Sequence, residues 1–551
     1  MRKILMLLCC CALWIPAVAG KTASVLPDNI YFRAMQDEMH RSLTELHTKG
    51  APRLYYVAYK LIKDTLINWK ASSGELLSVS SIPTTQITVL PVLGIGSDKN
   101  DQLGFEKRGY SYAPYGLTNV PNSYEGMRRT LWQVTDEVYR EAVDSYVKKQ
   151  SYKRQKSVAD HLPDVTPAPQ GTVFEELPAF PSPNAEKWKT VLKKLSAKGK
   201  GIAWLENFTV TFSLTQQDIL YLNSLGGAHQ IPFIRATVTW YAKLRNQEGY
   251  VQSFSRVANL SEYQKPDESL LTQQTDRFLE EMTQRYRAHK LQKPYLGPVL
   301  LRPDAAGRFV LEKFVWNVEY VKPLLSELYE NDPRAAAFRS KTGLRVVSDV
   351  VDIVDDPLAR SYAGNPLYYI PVDDEGVPAQ KLLLTSQGHL QELPLSRRPV
   401  SAGHQSNGHA RLTASTFPRE MLTNVFVNAK HPLSSEELDR KFLDLCREWE
   451  LEYCYEIERF DDYNLSQSPW AWRVYTKDGH KEPVFGLEIQ SLSERSLRDI
   501  VAAGGETEVT YFELRYSRGR TVLTPSLLLQ EVEMIPSDAK PDKPPFVTKP
   551  N

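Results

Sequence analysis

Hydrophobic positions along the chain follow two rhythms. Phe32, Met35, Met39, Leu43 and Leu46 recur at helical spacing between Pro27-Asp28 and Gly50, which predicts an amphipathic helix. The same spacing predicts helices over residues 124–152 (Leu131, Val134, Val138, Ala142, Tyr146), around Leu271, Phe278, Met282 and Tyr286, and over 303–318, opened by Pro303. A further stripe holds Leu438, Phe442, Leu445 and Trp449. Alternating or short apolar runs predict strands at 54–59, 86–92, 209–214, 219–222 and 233–244. Others follow at 344–354, 381–385, 424–428, 484–489 and 507–516. Residues 155–185 are Pro-rich and polar, the pattern of a long loop.

Helices come in groups and strands in runs, which predicts an α+β fold with mixed or antiparallel sheets. The segment Pro294-Tyr295-Leu296-Gly297-Pro298 is the natural boundary between an N-terminal α+β domain (20–293) and a sheet-rich C-terminal domain (294–535). Residues 536–551 carry Pro, Lys and Asp without an apolar period, and their composition predicts disorder.

The first segment has its own pattern. Arg2 and Lys3 precede an apolar run from Ile4 to Val18, which ends in Ala17-Val18-Ala19. A positive start, a run short of the roughly 20 residues of a membrane span and a small-x-small end describe a secretory signal peptide, residues 1–19. Leu8 before Cys9 does not fit a lipoprotein signal. The expected product is exported, periplasmic or secreted, with no membrane span once the signal is removed.

Composition then narrows the possibilities. The 551 residues are 42% hydrophobic and 10% aromatic, enough for packed cores. Lys+Arg number 67 and Asp+Glu 66, so no charge excess favours nucleic acid. Of 5 cysteines, Cys9, Cys10 and Cys11 fall in the signal, leaving Cys446 and Cys454. That excludes a disulfide-stapled scaffold. Cys446 borders a helix stripe and Cys454 sits on the Glu face of its strand, facings that predict free or weakly paired thiols.

Common chemical motifs fail on inspection. Gly94-Ile95-Gly96 lacks the third glycine of a dinucleotide loop, since Lys99 stands there; a turn between strands is the better reading. Asp98, Asn100 and Gln102 resemble the start of a calcium loop, but Leu103 replaces its glycine. Asp373-Asp374-Glu375-Gly376 offers carboxylates for acid–base work, yet equally spells a tight turn whose glycine takes positive φ; Asp355-Asp356-Pro357 reads the same way. His404 and His409 flank Gln405-Ser406-Asn407-Gly408, a spacing that could converge on a metal but also suits a hydrogen-bonded loop.

The order of several segments carries a resemblance. Val350-Val351-Asp352-Ile353-Val354-Asp355-Asp356-Pro357 is followed by Asp373-Asp374-Glu375-Gly376-Val377-Pro378-Ala379-Gln380. Then come Ser406-Asn407-Gly408-His409-Ala410-Arg411, Pro418-Arg419 and Thr423-Asn424-Val425-Phe426-Val427. Upstream lie Leu222-Asn223-Ser224 with Gly226, and Leu131-Trp132-Gln133-Val134-Thr135-Asp136. This succession resembles the TldD/PmbA family of zinc metallopeptidases and their metal-less sister subunits, also described as modulators of DNA gyrase. It covers nearly all of the chain between signal and tail, and looks like an exported, long-chain branch. It implies a two-domain α+β architecture with a sheet-rich C-terminal domain.

Active members of that family carry H-E-x-x-x-H on a helix just past the domain boundary, with a further cysteine ligand near the C-terminus. The matching positions here are Val310, Leu311 and Val315, which offer no lone pair to a metal. No histidine occurs between residues 290 and 388, and no cysteine follows Cys454. The family's catalytic and zinc-binding residues therefore carry over onto no position.

The resemblance implies a non-catalytic relative without a cofactor, which binds peptide or unfolded polypeptide or pairs, as homo- or hetero-oligomer, with a TldD-like zinc subunit. Asp374, Glu375, Asn407 and His409 are its candidate binding residues. Two rivals stand beside it. One is an active hydrolase with a zinc site rebuilt around His404, His409, Asp373, Asp374 and Glu375. The other is a structural envelope protein.

Overall fold

The computed structural model describes residues 26–80, 82–102, 117–118, 120–157, 162–319, 338, 340–413, 417–460, 469–490, 492–514 and 517–542. The expected signal peptide lies outside the described residues.

The N-terminal region is built on an 8-stranded sheet. Its central strands are β1 (Leu54–Ser72), β2 (Thr84–Ile95), β3 (Leu205–Asn223), β4 (Ala228–Arg245) and β5 (Val251–Leu260). They run antiparallel in the order β2-β1-β3-β4-β5. Four helices cover this sheet: α1 (Ile30–Glu45), α2 (Tyr124–Gln155), α3 (Ala185–Ala197) and α4 (Glu268–Tyr286). Side chains alternate across a strand, and β1 shows what each face meets. Val57, Tyr59, Leu61, Ile67 and Trp69 belong to the clusters under the helices. Tyr56, Ala58 and Ile62 point the other way and pack with Leu412, from the second region. With both faces covered, β1 loses the polar alternation of a surface strand. The expected strands at 209–214 and 219–222 are one strand, β3. Helix α3 and strand β5 were not apparent from the pattern.

The chain crosses to the second region between Tyr286 and His289, because His289-Lys290 already pairs in the second sheet. Residues 295–298 of the segment expected at the domain boundary enter β6 (Tyr295–Leu301). Next come α5 (Pro303–Val310), β7 (Val351–Asp355), β8 (Leu382–Ser386), β9 (Asn424–Ala429) and α6 (Ser435–Glu448). They are followed by β10 (Tyr453–Phe460), β11 (Pro469–Tyr475), β12 (Lys481–Phe485), β13 (Ile500–Phe512) and β14 (Arg520–Pro536). These strands belong to a 12-stranded mixed sheet with the path β8-β7-β9-β14-β6-β10-β11-β12.

The spine of this sheet is β14, which pairs with β6, β9 and β13. The sequence reading missed it. Leu527, Leu528 and Leu529 are all fully buried, so the run has no period of two, and Pro525 breaks the strand signature. Pro525 is accommodated beside a register shift in the β13 pairing.

Two expectations are corrected here. Cys446 and Cys454 form a disulfide, with Cα atoms 6.3 Å apart. Helix α6 ends at Glu448, and Glu450 takes positive φ (54°), turning the chain so that β10 runs back along the helix. Facing periodicity within each element could not reveal that reversal. Residues 537–542, assigned by composition to disorder, are held in place. Ser537 N–H donates to Gly486 O (2.8 Å), Asp542 N–H donates to Gly249 O (3.1 Å), and Asp542 Oδ2 accepts from Val251 N–H (2.8 Å). Their partners lie far away in sequence. Residues 543–551 lie outside the described part. Among the described residues no helix is long and apolar enough to cross a membrane.

Candidate functional site

The Asp373–Gln380, Ser406–Arg411 and Leu222–Gly226 segments of the sequence resemblance meet at one place, where the face of the first sheet opposite its helices joins the second region. Asp373 to Val377 form a tight turn: Gly376 N–H donates to Asp373 O and Asp373 N–H to Val377 O. Gly376 has φ of +80°, and a Cβ there would strike Gln170 and Asn223, so only glycine permits the approach. From the first region, Asn223 Nδ2 donates to Glu375 O (3.1 Å) and to Gln170 Oε1 (2.8 Å), and Gly171 N–H donates to Gly376 O (2.8 Å). The Asn407-Gly408-His409 loop lies against the same turn: Gln380 N–H donates to Asn407 O, and Asp374 N–H to Ala410 O.

The acidic side chains are consumed inside this joint. Asp373 accepts from Glu375 N–H, Val377 N–H and Ala410 N–H. Asp374 Oδ2 accepts from Lys60 Nζ (2.8 Å) and Leu412 N–H (2.6 Å). Lys60 Nζ also donates to Leu412 O (3.0 Å), so this buried cation from β1 is anchored wholly in the second region. Glu375 Oε2 accepts from Arg397 N–H (2.6 Å).

Burial and the competing charges explain the titration of the group. Burial opposes ionisation of Asp374, but the Lys60 ammonium outweighs it and holds that carboxyl below the usual range. Glu375 lacks such a cation at contact. Burial first, then the neighbouring Asp373 charge, push its carboxyl up to about 8; burial also raises Asp373 to about 6.

The two histidines do not share an open coordination site. His409 is fully buried, with Nε2 3.0 Å from Asp355 Oδ2 and Nδ1 2.9 Å from Asn407 Oδ1. Asp355 Oδ1 in turn accepts from Thr423 N–H and Asn424 N–H. His404 Nε2 lies 2.7 Å from Ser396 O. Among the described residues no group of three or more His, Cys, Asp or Glu is arranged to hold a metal ion. The partners that sequence reasoning missed were Lys60 and, through its main-chain N–H, Arg397. A lysine within the apolar run Leu54–Ile62 was the available signal for the first.

Helix α5 presents the opposite chemistry. It continues as a π-helical turn, Leu311–Val315, and a last α turn, Trp316–Glu319. In a π turn residues five apart come onto one face, which an α-helix would not give. Val310 and Val315 have that spacing. Val310, Leu311 and Val315 are 1%, 3% and 0% exposed, packed in the core with Phe309 and Phe314. The helix carboxylates nearby are occupied: Glu312 pairs with Arg308 (3.1 Å), and Glu319 pairs with Arg520 (2.6 Å) while accepting from Leu422 N–H. Zinc does not fit this helix: the side chains at the three positions bear no donor atom and the space beside them is filled with carbon.

The second feature with room for a ligand is a cleft of about 560 Å³ between the two sheets. Arg256, Val257 and Ala258 of β5 line one side; Glu508, Val509 and Thr510 of β13 line another. Among the described residues β5 pairs only with β4, and the Glu508–Phe512 stretch of β13 only with β14. Trp470, 2% exposed, forms part of the wall, and its indole Nε1–H has no hydrogen-bond partner. The Arg285 and Arg459 guanidinia lie 5.2 Å from its ring.

Comparison with known proteins places this geometry. Residues 295–535 match the family model of the PmbA/TldA metallopeptidase C-terminal domain. A metalloprotease of Archaeoglobus fulgidus is 27% identical over 150 residues, 27% of this chain and 31% of that protein, so the match spans under a third of the relative. Among solved structures, a proposed modulator of a DNA gyrase from Thermotoga maritima aligns with a TM-score of 0.58 at 15% identity, covering 91% of this chain and 100% of that one. TldE of Thermococcus kodakarensis gives 0.58 at 15% identity, covering 91% and 99%. A proposed modulator of DNA gyrase from Bacteroides thetaiotaomicron gives 0.57 at 10% identity, covering 92% and 98%. At these identities the structural matches speak to fold.

Proposed function

Because the chain belongs to the TldD/PmbA family, with the family's C-terminal domain at residues 295–535 and the fold of its solved members throughout, we propose that it is an exported, non-catalytic relative that holds extended polypeptide. The cleft between β5 and β13 is its binding place. An extended segment adds to a free strand edge through main-chain hydrogen bonds, which need no particular sequence. Trp470 forms part of the cleft wall, with the Arg285 and Arg459 guanidinia beside its ring. The observation that carries the non-catalytic half is helix α5, whose aliphatic Val310, Leu311 and Val315 are sealed in the core. Asp374, Glu375, Asn407 and His409 act in this reading as the joint that sets the two sheets apart, and touch no ligand. Export is supported by the pattern of residues 1–19 and by the Cys446–Cys454 disulfide, which is at home in an oxidising compartment. A metal-less subunit of this kind would also serve as partner to a zinc-bearing relative.

Two measurements test this. Elemental analysis of the purified mature protein is expected to give far less than one zinc per chain; stoichiometric zinc with peptide cleavage would overturn the reading. Fluorescence anisotropy with labelled extended peptides should show binding that Val257→Pro on the β5 edge weakens. If no peptide binds, the structural envelope protein is the better description.

A further inference from the structure

A second, smaller cavity lies within the interdomain joint. It measures about 20 Å³, enough for one small occupant. Its walls come from both regions. Lys60, His229 and Ile231 belong to the first sheet, and Asp374, Arg411 and Arg518 to the second region.

Its polar groups are incompletely satisfied. His229 is 4% exposed, stacks on Tyr221 at 5.3 Å, and has no hydrogen-bond partner on either ring nitrogen. Burial holds its imidazole down to about 3, so the ring is neutral and carries one N–H in either tautomer. Arg411 Nε–H also lacks a partner; its other nitrogens donate to Gly408 O, Ala410 O and Thr423 Oγ1.

The charges around the cavity do not cancel. Lys60 and Asp374 neutralise each other at 2.8 Å. Arg518, 4% exposed, donates to the carbonyls of Tyr369 and Ile231, and Arg411 to the acceptors above. Among the described residues neither guanidinium has a carboxylate at salt-bridge distance; Asp218, Glu175 and Asp374 act on Arg518, and Asp374, Asp373 and Asp355 on Arg411, from further off. Two desolvated cations and two unanswered donors thus surround a space of single-ion size. A buried charge without a partner is costly, and an occupant that only accepts hydrogen bonds relieves both deficits at once.

We infer that this cavity is a binding site for one small monovalent anion of halide size, which ties the first sheet to the second region through His229, Arg411 and Arg518. The site is independent of the peptide cleft and of whether the protein is catalytic. Chloride is the abundant ion of this class outside cells, and bromide is its heavy-atom probe.

Two experiments on the full mature chain decide the matter. Crystals of the wild type soaked in sodium bromide should show an anomalous peak in the cavity between His229 and Arg411. Thermal unfolding should shift upward, saturably, as sodium chloride or bromide replaces sodium gluconate at constant ionic strength. His229→Phe keeps a ring over Tyr221 while removing the N–H and filling space; it is expected to abolish the halide-dependent part of the shift. Absence of the bromide peak, or unfolding equal in halide and gluconate, would overturn the proposal and leave a water in the cavity. The bromide soak needs no variant, so it decides even if His229→Phe fails to fold.

Discussion

Two buried regions of this protein, the joint around Asp373–Gly376 and helix α5, stand far apart in chemistry. The joint around Asp373–Gly376 buries charge, and its Asp373, Asp374 and Glu375 carboxylates each accept a hydrogen bond from another segment. Helix α5 buries only carbon at Val310, Leu311 and Val315, although its π turn still brings residues five apart to one face. The joint answers its carboxylates across segments; the helix carries at those three positions no side chain that could bind a metal or move a proton. Structural polar groups are hard to exchange one at a time, since removal of one strands its partner.

This contrast can be broken from either side. The largest effect is expected at the joint. Asp374→Ala leaves Lys60 buried without its counter-ion, at a cost of about 3–5 kcal/mol, measurable by urea unfolding. The double change Lys60→Met, Asp374→Leu should recover much of that loss, because no unpaired charge remains. If the single variant were as stable as wild type, the joint would not be the lock described here.

Next comes the link that holds α6 to β10. Replacing Cys446 and Cys454 by Ser opens a short loop, and the chain-entropy model puts the loss at about 2–3 kcal/mol. Reduction of the wild type with dithiothreitol should reproduce it; an unchanged midpoint in both would deny the bond a role.

In α5, Val315→Ala removes two methyl groups from a packed core, with an expected loss of about 1–3 kcal/mol. Val315→Thr, which keeps the shape but buries a hydroxyl, should be destabilised as well. A stabilised Thr variant would mean that the helix flank is polar, contrary to its packing.

The smallest effect is a slope with pH. Glu375 titrates at about 8 in the folded chain, above the ordinary carboxyl value, so the folded state binds its proton more tightly than the unfolded state does. Its stabilising contribution is therefore full at acid pH and declines as pH rises through the folded value near 8. Glu375→Gln fixes the neutral form. Unfolding midpoints between pH 5 and 8 should fall less steeply in this variant than in wild type; parallel curves would remove Glu375 from the account.

How far the sequence could be read differed between these regions. The helices α1, α2, α4 and α6 were visible because each has one wet face, and Asn29 and Ser434 cap α1 and α6 as their residue types allow. The strands β1 and β14 were shortened or missed, since burial on both faces erases alternation, and β3 was split at its polar run Thr215-Gln216-Gln217-Asp218. The turn at Asp373–Gly376 was readable from its glycine. That it meets Asn223, Lys60 and the Asn407 loop was not, because none of these contacts is local and those to Asn223 and Lys60 bridge 152 and 314 residues. The disulfide was misjudged for a related reason: two facings say nothing about the reversal between them.

The residue order itself settled the α+β class, the family resemblance and the lack of donor atoms at Val310, Leu311 and Val315, because each depends on side-chain identity or local period alone. Tertiary structure decided that Asp373, Asp374, Glu375 and His409 are locked in a joint, that Cys446 meets Cys454, and where a cleft stays open. Those outcomes depend on which distant segments answer each buried charge and donor, and a linear pattern carries no record of that.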